Sequence, residues 1–269
     1  LAALLALPLW RWARRRQAQA QLFPKLFLAS WLGLASHLLL DWTNSYGVRF
    51  FWPFDPTYYA RDWFYVVDPW VLAVLTLGLA APALFRLILE EIGARGTARG
   101  GQRGAWTAIA LLLVLCALRG ALHAQAVESL DARMYRGRTP LRVGAFPAPL
   151  NPFVWYGVAE TDSTYELVTV QLAGPARGTA PDSAYYKPQP APAIEAARTS
   201  FTGNAFLAFA RFPLLRVEAT AKGYRVWMRD LGFVRATSRR RNFRAYIQLD
   251  HNLRVVNEAF SATAEERVP

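Results

Sequence analysis

Hydrophobic and polar positions divide this chain into two regimes. Up to about residue 125 the apolar residues come in long runs: residues 1–10, 26–40 broken only by His37, 66–85 with Pro69 and Pro82 inside, and 105–118. None of these runs alternates with the 3.6-residue period of a helix lying on a soluble core. Apolar segments in series therefore predict membrane helices. A span takes about 20 apolar residues. The first run is too short for one. The second and fourth are also short, but Trp31, Trp42 and Trp106 suit the interface, and Lys25 or Arg119 can snorkel.

Past residue 126 the pattern changes. Pro140, Pro147, Pro149 and Pro152 mark a linker over residues 126–152. Short strand-like runs follow at 153–159, 165–172, 214–219, 224–228 and 243–249, with Ala221-Lys222-Gly223 as a hairpin turn. Residues 174–192, rich in Pro, Ala and Gly, read as a loop. Residues 193–211 have helical spacing, with Gly203 as a break. The predicted architecture is an α-helical transmembrane bundle of about four helices (residues 1–125), the linker, and a small α+β domain with a mainly antiparallel sheet (residues 153–269). The chain opens Leu-Ala-Ala-Leu-Leu with no charged leader. That reads as a start inside a helix, with a further N-terminal part expected upstream.

Composition agrees with the division. Hydrophobic residues make up 54%, charged residues only 19%, and mean hydropathy is +0.12. Lys plus Arg is 31 against 19 acidic residues, a net charge of +12. The distribution of that charge carries topological information. Residues 11–25 hold Arg11, Arg14, Arg15, Arg16 and Lys25. Residues 86–104 hold Arg86, Arg95, Arg99 and Arg103, whereas residues 42–65 hold only Arg49 and Arg61. Short loops rich in Lys and Arg stay in the cytoplasm. The 42–65 loop and everything after the fourth helix are then outside, which predicts a multi-pass inner-membrane protein with an extracytoplasmic C-terminal domain. Membrane lipid is the expected partner. The chain has no recognisable aromatic-basic module, so nucleic-acid binding is not expected. Arg239-Arg240-Arg241 reads as a solvated loop rather than a phosphate site. The single cysteine, Cys116, excludes an intrachain disulfide.

Candidate chemistry gathers where the second apolar run ends, in "SHLLLDWTNSYG". His37 and Asp41 are four residues apart and share a helix face, with Asn44 or Ser45 a turn further on. An imidazole and a carboxylate at that spacing can hold one divalent ion, zinc or manganese. They can also simply pair and cap the helix end. Asp62 and Asp68, in "RDWFYVVDPW", are the next candidates, as a further ligand or general base. Asp68-Pro69 equally fits an N-cap followed by proline at the first helical position. The aromatic stretch 50–54 fits a pocket wall or an interfacial anchor. His123 follows the fourth run and could approach the same site; His251 sits in a turn. The sequence has no nucleophile elbow, phosphate-cradling glycine loop or Cys-x-x-Cys.

The stretch "SHLLLDWTNSYGVRFFWPF", followed by "YYARDWFYVVDPW", resembles the YdjM-like family of membrane-bound metal-dependent hydrolases. The signature is His-x-x-x-Asp-Trp-x-Asn-x-x-Gly with a later Asp-Pro, over roughly residues 1–90. The resemblance implies a helical inner-membrane protein, a metal-ligand role for His37 and Asp41, and a hydrolytic reaction on an unspecified substrate. Family members also carry an upstream His-Arg-Gly-x-Thr-His motif, which would stand just before the first residue of this chain. The competing expectation is a non-catalytic membrane anchor that displays an extracytoplasmic binding domain.

Overall fold

A computed structural model describes residues 22–91, 100–174, 181–234 and 243–261. The first apolar run, the arginines of residues 11–16, Arg95, Arg99 and the Arg239–Arg241 run lie outside the described residues. The chain forms two compact units, Leu1–Arg61 and Asp62–Pro269.

The described part of the first unit is one long helix, α1 (Leu22–Thr43), and the loop that follows. Its leucines and aromatics are distributed all round, so Leu28, Trp31, Leu32 and Leu39 are all more than half exposed. A helix apolar on every side finds its solvent in lipid rather than in water.

The second unit begins with two helices, α2 (Pro69–Glu91) and α3 (Gly100–Asp131). They run antiparallel with small residues at the crossing. A Cβ on Gly78 would collide with Ala108, and one on Gly104 with the Pro82 ring. Close backbone approach of this kind is how helices associate without a hydrophobic driving force. Their outer faces carry exposed Leu77, Leu79, Leu84, Leu111, Leu113 and Leu118. By length and composition, Phe23–Thr43 and Gln102–Asp131 suffice to cross a membrane, whereas the apolar part of α2, Pro69–Leu84, is shorter.

Helix α3 has 32 residues, about 48 Å at 1.5 Å per residue, more than a hydrocarbon core of about 30 Å needs. Its last turns do something else. Ala126 and Leu130, both fully buried, pack on Ala145, Trp155, Ala159, Val168 and Val170. The helix therefore runs through the predicted boundary at residue 125 and supplies core to the sheet domain. The stretch expected as a linker, 126–152, is the end of α3 plus a strand.

That strand, β1 (Arg142–Pro147), joins β2 (Val154–Glu160), β3 (Thr164–Gln171) and β4 (Ser183–Tyr186) in a four-stranded antiparallel sheet of order β1-β2-β3-β4. Both of its faces are covered. Trp155, Ala159, Val168 and Val170 face α3, while Phe146, Val158, Tyr165 and Leu167 pack with Phe212 and Leu231.

Two short helices, α4 (Pro192–Thr199) and α5 (Phe201–Phe209), lead into a second antiparallel sheet: β5 (Pro213–Thr220), β6 (Gly223–Asp230), β7 (Arg244–Leu249) and β8 (Val255–Ser261). The expected helical break falls at Ser200 rather than at Gly203. The Ser200 hydroxyl accepts from the Gly203 amide and caps α5. The predicted hairpin turn at residues 221–223 is present. Gly223 has φ +130°, and a Cβ there would strike the Leu249 carbonyl, so glycine is required. Helices α4 and α5 cover one face of this sheet, with Ile194, Ala197 and Phe206 packed on Leu215, Val226, Met228, Ile247 and Leu249. One mainly antiparallel sheet was expected; two are observed.

Candidate functional site

Polar residues gather at the end of α1. His37 Nε2 lies 3.3 Å from Asp41 Oδ2, one turn apart, with side chains 72% and 41% exposed. Asn44 Nδ2 donates to Asp41 Oδ1 at 3.5 Å. The other end of that amide builds the turn that follows: Asn44 Oδ1 accepts from the amides of Tyr46 (2.8 Å) and Gly47 (3.3 Å). Gly47 has φ +74°, and a Cβ would meet the Tyr59 carbonyl oxygen at 2.7 Å. Val48 and Tyr59 then pair as an antiparallel bridge. The Arg61 amide donates to the Trp42 carbonyl (2.9 Å), and its guanidinium lies 4.7 Å from the Trp42 ring. Asp-Trp-x-Asn-x-x-Gly is thus one mechanical unit: Asn44 and Gly47 turn the chain, Trp42 anchors its return, and Asp41 is held toward His37. Within the loop, hydrogen bonds from Thr57 and then Tyr59 hold the Asp55 carboxyl below its ordinary range. Phe51, Trp52 and Phe54 are exposed.

Asp62 and Asp68 lie in the second unit, and each holds an arginine. Asp62, at φ +57°, takes Arg211 Nη1 on both carboxylate oxygens, at 2.7 and 2.6 Å. Asp68 is more fully engaged. Oδ1 accepts from the amides of Trp70 and Val71, the N-cap of α2, and Oδ2 accepts from Arg119 Nη2 at 3.1 Å. The side chains of Arg119 and Asp68 are 1% and 2% exposed. Arg119 also donates to the Pro152 carbonyl and faces the rings of Trp155 and Phe64. The expected snorkelling of Arg119 is corrected here: it turns inward to Asp68. A charge inside an apolar helix needs a partner, so its position in the run 105–118 and beyond was a legible signal for one. One turn on from Arg119, His123 packs edge-on against Trp155 with ring centres 5.4 Å apart. His251 lies in the turn between β7 and β8.

His37 and Asp41 therefore place an exposed imidazole and an exposed carboxylate on one helix face. No group of three or more His, Cys, Asp or Glu side chains that could hold a metal ion occurs among the described residues. A catalytic zinc normally takes three protein ligands. The pair fits part of such a shell, and Asn44 is already spent on its turn.

The geometry now meets the comparisons with known proteins. Residues 1–126 match the family model described as YdjM inner membrane protein. The resemblance drawn from the His37–Gly47 signature is borne out, and the chain carries a membrane-associated domain. Residues 192–267, from α4 through β8, match a second model, the YfhP C-terminal alpha/beta plait domain, which sequence reading alone did not reach. No curated protein and no solved structure matches the chain.

Proposed function

We propose that this protein is a membrane-bound, metal-dependent hydrolase whose site lies at the outer face of the inner membrane, with His37 and Asp41 as ligands to a divalent ion, zinc or manganese. The observation that carries this reading is the His37–Asp41 pair, 3.3 Å apart and open to solvent, at the end of an otherwise apolar helix. Ionisable groups there cost free energy and persist where they serve a site. A bound ion would supply an activated water. Asn44 holds Asp41 in place, and the Trp42–Arg61 contact fixes the loop above it. A lipid or a phosphoester is the substrate class in this reading. Asp62 or Asp68 would act as base only by releasing its arginine, so their geometry favours a positioning role over proton transfer. The expected result is metal that copurifies with the full chain and is lost in His37→Ala and Asp41→Ala. Equal metal content in all three, by elemental analysis, would sink the proposal.

The topology belongs to the same reading: a multi-pass chain with the C-terminal domain extracytoplasmic. It rests on the arginine-poor 42–65 loop between arginine-rich flanks. Alkaline phosphatase fused to the C-terminus should be active. A silent phosphatase beside a bright fluorescent-protein fusion would reverse the orientation.

A second reading is an anchor that displays a binding domain. The arginine-locked Asp62 and Asp68 favour it, because they leave His37 and Asp41 as the exposed members of the candidate set. Metal analysis separates the two readings.

A further inference from the structure

The β1–β2 hairpin is charged at one end and apolar at the other. Arg142 pairs with Glu160 at the open end, at 2.7 Å, and no charged residue stands between them in the chain. The turn at the far end, residues 148–153, is a built loop. The Ala148 amide donates to the Val154 carbonyl, and Asn151 Oδ1 accepts from the Phe153 amide. Two further bonds fasten the loop to the helices. The Trp70 indole donates to the Leu150 carbonyl at 3.0 Å, and the buried Arg119 donates to the Pro152 carbonyl at 3.2 Å. The loop is therefore held beside the start of α2.

Its apolar side chains do not fill the core. Leu150 is 74% exposed, and Phe153, Val66, Val67 and Trp70 are exposed as well. Asp68, the acid within this stretch, is buried against Arg119. Single apolar residues on a surface need no explanation, but a contiguous patch marks something that covers it. Here the patch continues the outer apolar face of α2 and α3, where Leu72, Val114 and Leu118 are exposed. It also supplies length. The apolar part of α2, Pro69–Leu84, spans about 24 Å at 1.5 Å per residue, short of a hydrocarbon core of about 30 Å. Arg86, Glu90 and Glu91 follow at its other end, so the missing apolar surface falls at the Trp70 end. Trp70 suits such a boundary. Its side chain is exposed while its N–H is already bonded, as for a tryptophan at a membrane interface.

We infer that the β1–β2 loop seats the first sheet on the membrane surface, with Leu150, Phe153, Val66, Val67 and Trp70 entering the lipid interface beside α2. Interfacial segments bury apolar side chains about 5–10 Å into the headgroup–acyl boundary. The sheet then lies against the bilayer instead of standing away from it on the end of α3. The inference rests on the membrane reading of α2 and α3 and is independent of metal at His37 and Asp41.

The test uses the full chain with its single cysteine removed, Cys116→Ala, so that one introduced cysteine at a time carries an environment-sensitive fluorophore. Leu150→Cys reports the loop. Leu77→Cys reports the lipid-facing side of α2, and Met134→Cys reports a point past the end of α3, which runs about 18 Å beyond Arg119. All three positions are exposed, so the label displaces no core, and circular dichroism checks the fold. Each protein is reconstituted in phosphatidylcholine vesicles, alone or with phosphatidylcholine spin-labelled near the headgroup or deep in the acyl chain. The expected result at residue 150 is blue-shifted emission that the shallow spin label quenches more than the deep one. Residue 77 should be quenched more by the deep label, and residue 134 should emit as in water and be quenched by neither. Water-like, unquenched emission at 150 beside quenching at 77 overturns the inference alone. No quenching at either position overturns it together with the membrane reading of α2. Blue-shifted emission at 150 that neither spin label quenches also overturns it, because a protein surface then covers the loop. Equal quenching at 134 and 150 does so too, because the loop is then not what meets the lipid.

Discussion

Two acid–base pairs in this protein use the same chemistry to opposite ends. His37–Asp41 is 72% and 41% exposed on the surface of α1, while Arg119–Asp68 is 1% and 2% exposed beneath Trp155 and Phe64. The first pair makes few other bonds and is open to solvent. The second nearly fills its carboxylate, with three amides and a guanidinium, and the arginine donates to a carbonyl as well. Exposure, more than residue type, separates a candidate site from a structural joint. Asp62, tied to Arg211, falls on the structural side.

The largest expected effect breaks the buried pair. Arg119→Ala leaves Asp68 buried without its counter-charge, a loss of about 3–5 kcal/mol. Denaturant titration in detergent should show it, and Arg119→Met combined with Asp68→Asn should regain most of it. A shift under 1 kcal/mol for Arg119→Ala would mean that the pair is solvated and the contrast is wrong.

A buried phenol sharpens the comparison, because burial is the first cause of its shift. Tyr165 is 5% exposed and donates to the Pro213 carbonyl at 3.3 Å. Burial first, and then the negative charge of Glu160, push its phenol up to about 12. The unfolded phenol titrates near 10. Below pH 10 both states are protonated and the stabilisation is intact. Between about pH 10 and 12 only the unfolded chain ionises, so stability falls, by about 2–3 kcal/mol for a two-unit shift. Tyr165→Phe should flatten that alkaline loss in unfolding curves taken from pH 8 to 12. Identical slopes in both proteins would refute the assignment. Burial raises the Glu160 carboxyl as well, but hydrogen bonds from Lys187 and Arg142 outweigh it and hold the group low.

The smallest effect concerns the exposed pair. His37→Ala should change stability by less than about 0.5 kcal/mol, as exposed ion pairs do, while removing the copurifying metal. A thermal-melt loss comparable with that of Arg119→Ala would mean that His37 is structural after all.

Much of this was present in the residue pattern. Apolar runs placed α1, α2 and α3 within a few residues to about a dozen, because long apolar runs without strand alternation read as helices. The His37–Gly47 signature identified the turn, because Asn44 and Gly47 are the residue types its backbone requires. The central strands β2, β3, β6 and β7, and the long edge strand β5, were legible because they carry the β-branched and aromatic residues that mark a strand. The three strands that sequence reading missed, β1, β4 and β8, are all sheet edges. Edge strands tolerate proline, charge and short length; Pro147 closes β1, and β4 has four residues. Local composition therefore disguised them as linker and loop.

What tertiary structure alone decided is who meets whom across long stretches of chain. Asp68 and Arg119 are 51 residues apart, and Asp62 and Arg211 are 149 apart. No spacing rule reaches that far, because such pairs are chosen by which surfaces the core brings together. The opposed Arg229 and Arg244 follow from β6–β7 register, which is fixed by burying Val226, Met228, Ala245 and Ile247 on the other face. The sequence by itself located the apolar helical region and set His37 and Asp41 one helical turn apart. The fold decided which acids were already committed to arginines, because burial makes an unpaired charge too costly to leave open.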